Sequence, residues 1–149
     1  MKKFLCFMLA LVCILPTTLL VACDDKKEDA SRVVNRIYQV QSCKEDYTDT
    51  TSEYADGKVQ LYFRENLFKL EYTNNENPEL NGFYGGTFET DDDKVILTTT
   101  QYGGYFKEVP GSDLLNKLYF TQLKYYDKTL KVESFIGGKI IQFVFVEAK

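Results

Sequence analysis

The sequence predicts an all-β fold, an antiparallel up-and-down meander of about eight strands closed into a barrel. From Val33 onward, apolar residues recur with a period of two, and β-branched and aromatic residues are abundant. These runs are short and are separated by tight-turn residues, of which Gly137-Gly138 is the clearest example. No segment carries a sustained helical stripe. Closure is expected because an open sheet would expose two edges.

Each predicted strand is a short run of alternating or wholly apolar residues. The last run is apolar on both faces, which places it in the middle of a sheet or at the closure seam. In chain order the predicted strands are the run holding Ile37, Tyr38 and Val40, then Lys58–Phe63, Phe68–Tyr72, Gly82–Glu89, Val95–Thr100, Lys117–Tyr126, Thr129–Ile136 and Lys139–Glu147.

The connections are predicted from residues that tolerate unusual backbone angles. Arg64-Glu65-Asn66 is short enough for a hairpin, with Asn66 tolerant of positive φ. Gly85-Gly86 inside a strand indicates a bulge or a bend. Asp91-Asp92-Asp93 is interpreted as a solvated turn; calcium binding is the alternative, but the alternating ligand spacing is missing. Asp127-Lys128 and Gly137-Gly138 are predicted hairpin turns.

The first 22 residues have the three parts of a secretory signal. Lys2 and Lys3 form a positive start, and an uncharged, mostly apolar stretch follows from Phe4 to Leu20. The stretch ends in Leu20-Val21-Ala22-Cys23, which resembles the lipobox that the bacterial lipoprotein-processing enzymes recognise. This resemblance implies cleavage after residue 22 and lipid attachment at Cys23. An uncleaved membrane anchor and an ordinary signal peptide are the alternatives.

The predicted mature chain has 149 − 22 = 127 residues, which suits one domain. Residues 23–32 are charged and are interpreted as a flexible tether, so the barrel domain is expected over 33–149. Loss of two lysines leaves a formal charge of 16 − 22 = −6, which argues against nucleic acid or an anionic membrane surface as partner. Only Cys43 remains as a free thiol, and we expect it to be buried.

The lipobox resemblance implies that the protein lies in the bacterial cell envelope, held in the outer membrane by acylated Cys23. An aspartate directly after Cys23 resembles the inner-membrane retention signal of some Gram-negative bacteria. An acidic start that also carries lysines resembles the surface-export signal of others. The periplasmic and the cell-surface face therefore both remain open. We expect a monomer.

The order of the strands resembles the small lipocalin-like domains of secreted bacterial lipoproteins. The resemblance runs from about Asn35 to Glu147. It is carried by the first strand Arg36–Val40, the aromatic-glycine run Gly82–Phe88 and the closing hairpin Lys131–Val146. It implies an eight-stranded barrel, which can be filled by its own side chains or can hold one small ligand.

Composition narrows the chemistry that the chain can perform. The sequence has no histidine, so imidazole bases, serine–histidine or cysteine–histidine pairs and histidine metal ligands are excluded. No glycine-rich phosphate loop is present, and no pair of carboxylates is singled out by spacing. We therefore expect a protein that is not an enzyme and that carries neither a cofactor nor a metal.

The segment Gln101–Gly111 is the strongest candidate for a functional loop. It places Tyr102, Tyr105 and Phe106 on a glycine-rich backbone, and Tyr84 is a plausible neighbour. These rings could form a binding site, or they could fold over one barrel end as a lid on the core. Two functions follow: a binding module for a small apolar or glycan-like ligand, or a protein-interaction lipoprotein that assists envelope assembly or inhibits an enzyme. A hollow barrel would favour the first, and a filled one the second.

Overall fold

The computed structural model describes residues 28–106 and 117–149. The signal segment, Cys23, the first half of the tether and residues 107–111 of the candidate loop lie outside the described residues. The described strands are β1 (Ile37–Glu45), β2 (Thr48–Asp49), β3 (Val59–Arg64), β4 (Leu67–Tyr72), β5 (Gly82–Asp91), β6 (Lys94–Gly104), β7 (Gln122–Tyr126), β8 (Thr129–Ile136) and β9 (Lys139–Glu147).

The strands form a closed antiparallel barrel, which confirms the predicted fold class. From β3 to β9 each strand pairs with the next along the chain. Strand β1 closes the barrel because it pairs with both β3 and β9. Its first residues, Ile37–Gln39, face β3, while Tyr38–Glu45 run along β9. The two-residue β2 only extends the end of β1, so eight strands make the wall.

The hairpin turns use left-handed residues, as the right-handed twist of the flanking strands requires. Asp127 and Lys128 both have positive φ, and so do Gly137 and Gly138. The predicted β3–β4 hairpin is present, and in its turn Glu65 (φ 54°) takes the left-handed conformation, not the tolerant Asn66. In a two-residue turn of this kind, it is the first central residue that needs positive φ.

Three strands differ most in length from the prediction. Strand β1 continues to Glu45, well beyond the expected short run from Ile37 to Val40. Strand β6 continues to Gly104, beyond the expected end at Thr100. Strand β7 begins at Gln122 and not at Lys117, because Leu118 and Phe120 turn into the core. The glycines of β5 do mark a bulge: Gly85 and Gly86 pair with Gln101 and Thr99, which leaves Thr100 as the extra residue of β6.

A 3-10 helix, Ala30–Val33, packs against the barrel end that also holds the β3–β4, β5–β6 and β7–β8 turns. We call this the N-terminal end. Asp29 caps the helix by accepting a hydrogen bond from the Ser31 amide at 2.9 Å. Ala30 and Val33 are fully buried, and the Ala30 amide donates to the Asp92 carbonyl at 2.9 Å. The packed domain therefore begins before Val33, several residues inside the expected tether 23–32.

The opposite end of the barrel, called the far end, holds the long connections. These are residues 46–58 and 73–81, the described parts of the β6–β7 connection (residues 105–106 and 117–121), and the Gly137-Gly138 turn. One continuous core runs between the two ends. Its aromatic rings meet edge to face, as in Phe63 against Phe88 at 4.9 Å and Tyr54 against Phe143 at 5.1 Å.

Candidate functional site

Three aromatic side chains gather around Tyr84 at the far end of the barrel, which makes a cluster of four rings. The ring of Tyr84 lies 5.6 Å from that of Tyr102 and 4.3 Å from that of Phe106. A fourth ring, Tyr119, lies 5.3 Å away. The structure thus brings three of the four predicted binding residues into contact; Tyr105 follows on the same connection but makes no ring contact with Tyr84.

The four predicted residues divide sharply by burial. Phe106 is 0% exposed and Tyr84 only 2%, whereas Tyr102 is 37% and Tyr105 41% exposed. The ring of Phe106 lies over the backbone of Gly82, where a Cβ atom would overlap it. Phe106 and Tyr84 are therefore part of the core, and Phe106 occupies the position of a lid. Only Tyr102 and Tyr105 remain accessible to another molecule.

The space beneath this lid is filled. The gap that Phe68, Leu70 and Tyr84 share with Tyr119 leaves no volume for a water molecule. The hydroxyl of Tyr84 has no hydrogen-bond partner there, and burial raises its pKa well above the ordinary value. An eight-stranded barrel packed in this way holds side chains where a hollow one would hold a ligand.

The lid has a second half that the sequence pattern did not reveal. Leu118 and Phe120 are buried, and the Phe120 ring lies 5.3 Å from Phe143 and 5.9 Å from Phe145 on β9. Lys117 forms an ion pair with Glu45 at 2.6 Å, which ties this segment to the end of β1. Leu118 and Phe120 alternate with polar or partly exposed positions as residues of a strand do, so the sequence does not distinguish a strand from this buried irregular segment.

Next to this lid, the side of β6 that does not face β5 has few backbone hydrogen-bond partners among the described residues. Strand β7 pairs with β6 only through Lys94–Ile96, and the Leu97 amide then donates to the Thr121 carbonyl at 2.9 Å. Across the described ranges, the backbone of Thr98–Gly104 pairs with β5 alone. Edges are usually protected by charged residues or proline, but this segment (Thr-Thr-Thr-Gln-Tyr-Gly-Gly) carries neither. The exposed ring of Tyr102 stands within it.

Cys43 is buried, as predicted, on the other side of the far end. The Thr50 hydroxyl donates to its Sγ atom at 3.2 Å. Burial raises the pKa of the thiol to about 11, so the thiol is neutral near pH 7. Asp92 and Asp93 form the β5–β6 turn, with Asp92 at positive φ. Among residues 28–106 and 117–149, no group of three or more carboxylate, cysteine or histidine side chains is placed to hold a metal.

Comparison with known proteins gives little further information. No protein-family model matches the chain, and no curated protein matches it. Among solved structures, the chain is similar to an uncharacterized protein from Bacteroides eggerthii DSM 20697, at 11% identity and a TM-score of 0.44. The match covers 76% of this chain and 98% of that one. Within the described residues, no helix is long and apolar enough to cross a membrane.

Proposed function

We propose that this chain is a lipid-anchored protein of the bacterial cell envelope, and that its barrel recognises another protein through the far end. The observation that carries the proposal is the filled interior beneath Tyr84 and Phe106, which leaves no volume for a ligand. A barrel end that is filled by its own side chains has only its surface to offer to another molecule. The role as a protein-interaction lipoprotein is therefore favoured over the role as a binding module for a small ligand.

The anchor is supported by the sequence Leu20-Val21-Ala22-Cys23. Asp29, the cap of the first 3-10 helix, follows Cys23 by six positions, and an extended chain of that length spans at most about 20 Å. Lipid on Cys23 would therefore hold the N-terminal end of the barrel close to the membrane. The far end, with Tyr102 and Tyr105, would point away from the bilayer and toward a partner.

The surface beside the lid suits a protein partner. Tyr102 and Tyr105 offer rigid aromatic contact area, and such side chains contribute strongly to protein interfaces. Among the described residues, the backbone of Thr98–Gly104 pairs with β5 on one side only, so its other side can accept an extended segment of another protein as an added strand. An uncharged edge of threonine and glycine places no repulsive charge against such a segment.

Site-specific photo-crosslinking in the native host tests this surface. A photo-reactive amino acid at Tyr102 or at Tyr105 should give a discrete protein adduct, whereas the same group at Glu65, exposed in the β3–β4 turn, should not. A small molecule that co-purifies with the protein and is detected by mass spectrometry, without any adduct at Tyr102, would instead support the small-ligand function. To make room for such a ligand, Phe106 and Tyr84 would have to move.

Metabolic labelling with a palmitate analogue tests the anchor separately. The wild-type chain should incorporate the label, and the Cys23→Ser variant should not. Label in both chains, or in neither, would contradict lipid attachment at Cys23 while leaving the crosslinking result unaffected.

A further inference from the structure

A basic cavity opens at the N-terminal end of the barrel, opposite the proposed interaction surface. Its volume is about 420 Å³, and it lies between the first 3-10 helix, the start of β1 and the β7–β8 turn. We propose that this cavity binds a phosphate group. Its lining residues are Ser31, Arg32, Val34, Arg36, Tyr38, Tyr125, Lys128 and Glu147.

Three cations reach the cavity from three different elements. Arg32 lies on the 3-10 helix, Arg36 directly precedes β1, and Lys128 lies in the β7–β8 turn with φ 61°. This convergence is not a consequence of a basic chain, because the whole sequence has a net charge of −4. Guanidinium groups bind phosphate oxygens in pairs, and an ammonium group adds a further charge-assisted hydrogen bond.

Three carboxylates moderate the charge of the cavity, and of these Glu147 is the one that lines it. Glu147 accepts a hydrogen bond from Arg36 at 2.7 Å. Asp29 lies close enough to Arg32, and Glu28 close enough to Tyr125, to interact electrostatically. Among the lining residues, the three cations outnumber this one carboxylate.

Arg32 and Lys128 form no ion pair with any residue of the described ranges. Arg32 does form a hydrogen bond with Tyr125, and it lowers the pKa of that hydroxyl, which burial raises. An incoming anion would therefore meet Lys128 directly and would share Arg32 with the tyrosine.

The floor of the cavity is made of two tyrosines whose rings belong to the core. Tyr38 and Tyr125 are almost completely buried, yet both line the cavity. Burial raises the pKa of Tyr38 to about 12, so its hydroxyl keeps its proton near pH 7 and can donate. Within the described part of the chain no hydrogen bond to the Tyr38 hydroxyl is present, and the hydroxyl lies near the charged groups of Glu147 and Arg36. A phosphate oxygen would supply that partner.

The phosphate could belong to a lipid headgroup or be free in solution. Ser31, at the cavity, follows Cys23 by eight residues, which span at most about 28 Å when extended. If the proposed anchor holds, the cavity lies within reach of the headgroup layer. The binding of phosphate itself rests on the cavity alone and stands whether or not Cys23 is acylated.

The test uses purified protein with Cys23→Ser, so that no attached lipid contributes. Inorganic phosphate is titrated at constant ionic strength against chloride, and amide chemical shifts are followed by NMR. Saturable shifts are expected around Arg36, Tyr38 and Lys128. In the double variant Arg32→Gln/Lys128→Gln, the dissociation constant should rise at least tenfold. The matched control Lys44→Gln removes an exposed charge on β1 and should bind as the parent does.

Vesicles then distinguish the two sources. Flotation with phosphatidylethanolamine–phosphatidylglycerol vesicles should be lost in the double variant and kept in Lys44→Gln if a lipid headgroup is the ligand. Phosphate binding without any such difference in flotation would support a free phosphate and overturn the lipid source. Absence of saturable shifts in the parent, or equal binding by the double variant at an unchanged melting temperature, would overturn the proposal.

Discussion

Cys43 shows how a single buried residue makes stability depend on pH. Its thiol is enclosed at the far end and accepts a hydrogen bond from Thr50. Burial disfavours the thiolate and raises the pKa from about 9 to about 11. In the unfolded chain the thiol ionises at lower pH. The stabilising contribution is therefore complete below pH 9 and is lost as the pH rises through 11.

The expected outcome is a falling free energy of unfolding between pH 9 and pH 11, measured by urea denaturation. In Cys43→Ala the fall should be shallower, because only the other buried groups still titrate. Tyr38 contributes one such background, since its pKa is raised to about 12. Identical slopes for the two proteins would show that Cys43 does not ionise differently in the folded and unfolded chains.

At the same scale, the sequence predicted three of the four rings of the aromatic cluster, missed Tyr119, and did not predict which rings are buried. Tyr105 and Phe106 are adjacent, yet one is 41% exposed and the other is fully buried. Neighbouring aromatic residues on an irregular connection have no periodicity that would tell inside from outside. The burial of Phe106 depends on the bare backbone of Gly82, a contact between residues 24 positions apart.

Among the elements, the β5–β6 hairpin depends on one of its two adjacent glycines. A Cβ atom at Gly86 would overlap the carbonyl oxygen of Thr98 across the bulge, where only backbone atoms are available to move. A Cβ atom at Gly85 would lie 3.4 Å from the Phe68 carbonyl oxygen, an ordinary contact.

We expect Gly86→Ala to lower the free energy of unfolding by about 2 kcal/mol, because overpacking forces the backbone to shift. Gly85→Ala should change it by no more than about 0.5 kcal/mol. Thermal and chemical denaturation of both variants provides the measurement. A larger loss at Gly85 than at Gly86 would mean that the bulge is placed incorrectly.

The element scale is also where prediction succeeded most and failed most clearly. Strands β8 and β9 have the predicted limits, because Gly137-Gly138 and Asp127-Lys128 fix their ends through local backbone angles. The start of β7 was predicted five residues too early. Leu118 and Phe120 alternate as a strand does, but tertiary packing against Phe143 and Phe145 turns them inward, and no local signal records that packing.

For the molecule as a whole, the first 3-10 helix decides where the domain begins. Ala30 has no exposed surface, while its neighbour Ser31 is exposed. Ala30→Asp would bury a carboxylate among apolar groups and should cost about 3 kcal/mol or more of folding free energy. Ser31→Asp adds the same charge at the surface and should stay within about 0.5 kcal/mol. Equal losses of folding free energy for the two variants in urea denaturation would indicate that residues 30–32 belong to the tether and not to the packed domain.

Barrel closure followed from the general need to remove sheet edges, and the doubly apolar β9 lies at the closure seam, one of the two places that its sequence predicted. The packed beginning of the domain was not predicted, because Ala30 and Val33 are too few to stand out in a charged segment. Whether the interior is hollow depends on how large side chains from opposite walls meet, and alternation along single strands does not contain that information.

The pairing of β1 with β9 also constrains when the molecule can fold during its synthesis. Val40 and Phe145 are partners across the seam, although 105 positions separate them along the chain. Contacts of such long range form slowly and late. A chain that leaves the cytoplasm with its N-terminus first would bring β9 through the export channel last. Until β9 is available, β1 can pair only with β3, so the barrel cannot close.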